Sequence, residues 1–281
     1  MDVKVAFLNG RVSDDIWVEQ PPGFNTDNNL VCKLKGSLYG LRSSPKEWFK
    51  VLQGFLIKQG FTQAKSDECL FHKDGTNSDR LFVTAYVDDL LIVGNQSDIT
   101  TFKALLAQAF EIRSLGAVRR YLSLNVSHIE SHDERKYTLD QIDYIDEICT
   151  EFKDLIKSKE YRVPLTNPTT LKPEVSHTLP SLPSASTSKA SASQSNERYH
   201  RLIGKLIYLT CNTRPDLQFA VSTLSRYVSA PSPAAWTSLK QLLSYLKSTR
   251  ALKLTLRKPS LSTPLQLSCF TDASFASGTG R

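Results

Sequence analysis

The stretch LFVTAYVDDLLIVG, residues 81–94, limits the fold more than any other part of this sequence. Residues 81–86 and 90–93 form two short apolar, β-branched runs with Val87, Asp88 and Asp89 between them, which predicts a strand, a tight turn and a second strand. Adjacent acids in a regular strand would point to opposite faces, whereas at a hairpin tip both side chains can approach one ion. Aspartates at turns are commonplace, because they satisfy local backbone groups. Here the apolar arms would sink the hairpin into a core, and two uncompensated carboxylates beside a core call for a cation. Hard oxygen ligands select magnesium, and two such ions bridged by aspartates can activate a 3′-hydroxyl and stabilise a leaving pyrophosphate. That arrangement needs a third carboxylate on a neighbouring strand, and Asp2 is available.

Around this hairpin the pattern is that of a mixed α+β chain. Residues 2–8 (DVKVAFL) read as a strand closed by the turn Asn9-Gly10. From Pro45, a residue suited to a helix's first turn, Trp48, Phe49, Leu52, Phe55 and Leu56 recur at helical spacing up to Gly60. A second helix is expected with Ser97 as N-cap and Ile99, Phe102, Leu105, Leu106, Ala109 and Phe110 on one face. Between residues 176 and 195, twelve of twenty are Ser, Thr or Pro, a composition expected of a flexible linker. Beyond it, residues 199–211, 217–228 and 234–246 return to helical spacing, with Pro215 as an interruption.

Composition serves mainly to exclude. With 281 residues, 40% of them apolar, the chain has room for two domains and a real core. The net charge of +7 suits a polyanionic partner without requiring one, and Lys240, Lys247, Arg250, Lys253, Arg257 and Lys258 read first as a solvated face. Five well-separated cysteines, with no C-x-x-C pair, spell neither a zinc finger nor a disulfide framework, and an odd count favours a reducing compartment. Neither a membrane span nor a secretory signal is present, so a cytoplasmic or nuclear location without membrane attachment is expected. His128, Glu130 and His132 have a metal-like spacing, but their surroundings alternate like a hairpin. Asp140, Asp143 and Asp146 are expected on one solvent-facing helix face.

Four blocks, in order, carry a family resemblance. MDVKVAFLNG (residues 1–10), IWVEQPPGF (16–24), LKGSLYGLRSSPKEW (34–48) and TAYVDDLLIVG (84–94) resemble the successive blocks of copia-type retrotransposon reverse transcriptases, with Tyr86-Val87-Asp88-Asp89 as the catalytic box. The similarity continues through YTLDQIDYIDEI (137–148) and LIGKLIYLTCNTRPDLQFAVSTLSRY (202–227). LQLSCFTDASFAS (265–277) is similar to the first strand of an RNase H domain.

The resemblance implies an α+β reverse-transcriptase palm, an antiparallel sheet backed by helices, over residues 1–128. A thumb-like segment (129–164), the Ser/Thr/Pro-rich linker (165–197), a helical connection (198–258) and the start of an RNase H domain (259–281) would come after it. It implies RNA-directed DNA polymerase activity, with Asp2 and Asp88 holding two magnesium ions, or manganese in their place, and Asp89 assisting. Val5 and Ala6 would offer backbone amides to the triphosphate, Phe7 would stack under the incoming sugar, and Tyr39 with Gly40 would line the opposite side of the pocket. The partners implied are a primed RNA or DNA template, deoxynucleoside triphosphates and other parts of the element's polyprotein, in a cytoplasmic virus-like particle or the nucleus. Asp272 would be the first RNase H ligand, but nine residues after it cannot complete that site, so no RNase H activity is expected.

The sequence also departs from the family. The fingers segment that precedes the first catalytic aspartate is missing before Asp2, so the expectation is a chain that is weakly active or inactive alone, the alternative reading being a relic that retains only nucleic-acid affinity. Ser123, in RRYLSLNV, stands where the family usually has glycine in a Phe-Leu-Gly block.

Overall fold

The computed structural model describes residues 1–12, 14–24, 30–76, 79–130, 134–166 and 188–259. It divides into two units, Met1–Val118 and Arg119–Arg281. The boundaries expected at 128 and 164 do not coincide with this division, and residues 119–128 belong to the second unit.

In the first unit the elements run β1 (Asp2–Val3), β2 (Trp17–Glu19), β3 (Val31–Lys33), α1 (Ser44–Lys58), β4 (Thr62–Gln63), β5 (Leu70–Asp74), β6 (Arg80–Tyr86), β7 (Asp89–Val93), α2 (Gln96–Ala109) and β8 (Ile112–Arg113). Six strands form one sheet in the order β4-β5-β6-β7-β1-β8, with every pairing antiparallel, while β2 and β3 pair separately. Alternation sends Leu81, Val83 and Ala85 of β6 to one face, where they are buried with Trp48, Leu52 and Leu56 of α1 and Phe102 and Leu106 of α2. The opposite face carries Phe82, Thr84 and Tyr86.

Two expectations change here. The first strand ends at Val3 rather than Leu8, because Val5, just after the Lys4 N–H has donated to the Glu111 carbonyl, turns left-handed, at φ 45°, into a short 3-10 turn over Ala6–Asn9. The buried Ala6 side chain and the Asn9 amide, which donates to the Val5 and Ala6 carbonyls, hold that turn. The N-cap of α2 is Asn95 rather than Ser97, since the Asn95 side chain accepts the Ser97 N–H.

The second unit contains β9 (Arg120–Tyr121), β10 (Leu124–Glu130), β11 (Glu134–Asp140), α3 (Ile142–Glu151), α4 (Ser188–Asn212), α5 (Gln218–Ser225), α6 (Pro233–Ser248) and β12 (Leu254–Pro259). Its antiparallel sheet runs β12-β11-β10-β9. The hairpin expected around His128 is β10–β11, whereas His132 lies outside the described residues. One core joins Ile145, Ile148 and Phe152 to Leu202, Leu206, Leu209, Leu224 and Leu242, so the segments expected as thumb-like and connecting share their apolar interior. α4 begins at Ser188, so the end of the expected linker is helical; its earlier part, residues 167–187, lies outside the described residues.

Asp140 is not on the helix face with Asp143 and Asp146. It closes β11, is buried, and pairs with Lys253 at 2.8 Å, while Asp146 on α3 pairs with Arg250. The only fully buried guanidinium among the described residues belongs to Arg214, which meets Asp216 through Nε and Nη2 at 2.9 and 2.8 Å. Thr249 accepts from Arg214 and the Tyr245 hydroxyl donates to the partly exposed Asp216, so the buried guanidinium is well bonded. Among the described residues no helix is long and apolar enough to cross a membrane.

Candidate active site

Asp2, remote in sequence from the adjacent Asp88 and Asp89, is brought beside them at one end of the six-stranded sheet. β6 and β7 are joined by the two-residue loop Val87-Asp88, across which Tyr86 pairs with Asp89. β1 then lies between β7 and β8, with Asp2 opposite both Asp89 and Arg113. Opposed residues of antiparallel strands share a face, so Tyr86, Asp89, Asp2 and Arg113 form a row across four strands, on the face away from the helices. Asp88 sits at the tip beside this row, its carbonyl accepting the Val3 N–H at 2.8 Å.

None of Asp2, Asp88 and Asp89 forms a salt bridge with a lysine or arginine among the described residues, and Arg113, although opposite Asp2, forms none either. Burial, then the adjacent Asp88 carboxylate, push the Asp89 carboxyl above its ordinary value; the Met1 amine opposes this and Asp2 adds to it. Among the described residues no three His, Cys, Asp or Glu side chains are already gathered closely enough to hold a metal by themselves.

The loop itself is strained. Val87 has φ 55°, a left-handed conformation that a β-branched residue rarely adopts, where a two-residue hairpin loop ordinarily uses asparagine or glycine. Its carbonyl accepts the Trp48 indole N–H at 2.6 Å.

The expected nucleotide-side residues also converge. The Phe7 and Tyr39 rings lie 4.9 Å apart at 54°, Tyr39 being exposed and Phe7 half-buried. Their segments are tied by the Ser37 N–H to the Gly10 carbonyl, and a Cβ at Gly10 would meet Ser37 Oγ at 2.7 Å, so only glycine fits that crossing. Gly40 has φ 94°, which likewise favours glycine, and Ser44 Oγ anchors the loop by donating to the Leu38 carbonyl. Val5 is exposed and Ala6 opens the 3-10 turn, where the first N–H groups have no partner within the turn. Asp272 lies outside the described residues.

Sequence reasoning missed Trp48 and Arg113 as neighbours of the site. Trp48 carried only a core signal, and Arg113 had no signal at all, because its position opposite Asp2 is set by long-range register. Ser123 gains an explanation: it has φ 66°, beside Leu122 at φ 48°, so the family's glycine occupies a left-handed position that suits it.

Residues 1–167 match the family model described as reverse transcriptase (RNA-dependent DNA polymerase). The chain is 31% identical over 252 residues to the retrovirus-related Pol polyprotein from transposon TNT 1-94 of Nicotiana tabacum, covering 89% of this chain and 18% of that one. It is 30% identical over 287 residues to the Pol polyprotein from transposon RE2 of Arabidopsis thaliana, covering 99% of this chain and again 18% of the relative. A putative transposon Ty5-1 protein of Saccharomyces cerevisiae is 31% identical over 277 residues, covering 98% of this chain and 83% of its own. The chain thus spans less than a fifth of the plant polyproteins it matches. No solved structure matches it. The matched residues 1–167 include Asp2, Asp88 and Asp89, and the chain belongs to the reverse transcriptase (RNA-dependent DNA polymerase) family, in its copia-type retrotransposon branch.

Proposed function

We propose that Met1–Val118 is the palm of an RNA-directed DNA polymerase that extends a primer by two-metal nucleotidyl transfer. The observation that carries this reading is the register that sets Asp2 opposite Asp89 beside Asp88, with no cationic side chain in a salt bridge to any of them among the described residues. The donor set fits magnesium: all three are hard carboxylate oxygens, and at polymerase sites this ion is held by one or two carboxylates plus substrate phosphates rather than by an all-protein cage. Asp2 and Asp88 would hold the ions and Asp89 would assist. When bound, the two ions lower the pKa of the primer 3′-hydroxyl and neutralise the leaving pyrophosphate.

The chain's own residues then position the reactants. The strands fix the carboxylates on one face, so that the hydroxyl and the α-phosphorus can be brought in line. The ring pair Phe7 and Tyr39 offers an apolar wall to the incoming nucleotide, on which a ribose 2′-hydroxyl would collide with Phe7. The N–H groups of Val5 and Ala6 face the triphosphate at the start of the 3-10 turn, and Gly40 lets its loop approach closely. The partners are a primed RNA or DNA template and deoxynucleoside triphosphates, with other parts of the polyprotein completing the enzyme, in a cytoplasmic particle or the nucleus.

The test is magnesium-dependent extension of a DNA primer on an RNA template by this chain, by Asp88→Asn, and by a form carrying the upstream segment of the polyprotein. Extension lost in Asp88→Asn supports the reading. Extension that survives Asp88→Asn in every form overturns it, and extension only by the longer form shows that the site needs that segment.

A further inference from the structure

Trp48 is almost completely buried, and its polar atom faces the site rather than solvent. A buried indole N–H ordinarily finds some acceptor, so the plain reading is a satisfied core tryptophan. The acceptor gives it another role. It is the carbonyl of Val87, the first half of the peptide group that carries Asp88, on a residue held at φ 55°. Such strain persists only where the surroundings over-determine it, and two contacts from two different elements do so. From α1, the Trp48 N–H takes the Val87 carbonyl at 2.6 Å; from β1, the Val3 N–H takes the Asp88 carbonyl at 2.8 Å. Successive peptide groups on either side of Asp88 are thus clamped independently. The indole is itself fixed by an edge-on contact with Phe110 at 5.3 Å, which meets Phe55 of α1 edge-on at 5.2 Å.

We infer that Trp48 is a positioning residue of the site: its indole N–H fixes the plane of the Val87–Asp88 peptide and with it the direction in which the Asp88 carboxylate leaves the loop. Without that donor the peptide can turn over, leaving the strands paired but the carboxylate aimed elsewhere. This inference rests on the reading of Asp88 as a metal-holding residue, and the two separate cleanly by experiment.

Trp48→Phe keeps a buried ring and removes the donor. A second form carries benzothienylalanine at position 48, which matches the indole in shape with sulfur in place of N–H and so guards against loss of packing. Two properties are read on the full chain, after thermal melts have shown cooperative folding. Backbone ¹³C shifts of selectively labelled Val87 and Asp88 report the loop conformation, with Val83 as an internal reference. Water-proton relaxation reports Mn²⁺ affinity in the parent chain, the two position-48 forms and Asp88→Asn. Loss of a group that orients a metal ligand typically lowers affinity about 10- to 100-fold, which is the drop expected here together with displaced Val87 and Asp88 shifts. Unmoved shifts in both position-48 forms overturn the inference, as does a moved loop with parental Mn²⁺ affinity. Equal Mn²⁺ affinity in the parent and Asp88→Asn removes Asp88 as a ligand and refutes the reading beneath, while the shifts still decide whether Trp48 sets the loop.

Discussion

The two units treat their aspartates in opposite ways. In Met1–Val118, the Asp89 carboxyl is raised by burial and by its neighbours Asp88 and Asp2, which are carboxylates too. In the second unit, burial also pushes Asp216 up, but the hydrogen bonds and charge of Arg214, with the Tyr245 hydroxyl, outweigh it and hold the carboxyl below its ordinary value. Asp140 behaves in the same way, burial being outweighed by Lys253, Asn125 and the Ile142 N–H. A charge taken from water and paired inside the chain belongs to the scaffold. Asp2, Asp88 and Asp89 are instead like charges set side by side with no lysine or arginine in a salt bridge to them among the described residues, the arrangement on which the proposed metal site rests.

The comparison is broken first by removing a charge from each unit. Asp88→Asn should lower magnesium-dependent primer extension at least about 100-fold, the scale seen when one preorganised electrostatic group is lost, while the melting temperature holds or rises because like-charge repulsion is relieved. A fall in melting temperature with extension retained would mean that the two units do not differ in this way. Asp216→Ala should do the reverse. It strands the buried Arg214 guanidinium and should cost about 3–5 kcal/mol in denaturant unfolding, because an unpaired charge is left in the interior.

Acid sharpens the contrast less drastically. Asp216 and Asp140 have depressed folded-state values, so their stabilisation is complete above the unfolded carboxyl value of about 4 and is lost as the pH falls through the lower folded values. Unfolding midpoints between pH 6 and pH 3 should therefore drop steeply in the parent chain and more gently in Asp216→Asn, which has already lost that contribution. The smallest effect concerns the other left-handed site. Ser123→Gly should stabilise the chain by up to about 1 kcal/mol in a thermal melt, because glycine meets φ 66° without steric cost. A destabilised Ser123→Gly would show that the serine side chain supports this loop.

Much of this could be read directly from the sequence, where the cause was local. The two short apolar, β-branched arms of TAYVDDLLIVG became β6 and β7, and the recurrence of Trp48, Leu52 and Leu56 became the buried side of α1. What escaped was set at a distance. Nothing in DVKVAFL shows that its strand stops after two residues, since the stop is made by the left-handed Val5 that opens the 3-10 turn. Asn95 and Ser97 are equally good caps by type, and only the structure chooses between them. Leu202 and Ile148 look the same in sequence whether they line one core or two. Of the candidate site, the acids were singled out by residue type and position, while Phe7 and Tyr39 came only from the family resemblance. Trp48 was not singled out, because an indole N–H gains its role only from the acceptor it meets.

The place of β1 between β7 and β8 also sets an order of assembly. The β6–β7 hairpin needs only a two-residue loop and can close within about ten microseconds, whereas joining Asp2 to Asp89 and Arg113 closes long loops at an entropic cost that grows with their length. On the ribosome, at roughly 5–20 residues per second, Asp2 emerges well before the hairpin acids that it pairs beside. The row of four is finished only when β8 has been made and β1 is held on both sides. A nascent chain stalled before Arg113 therefore carries all three acids of the site but not the strand that flanks β1 on its other side.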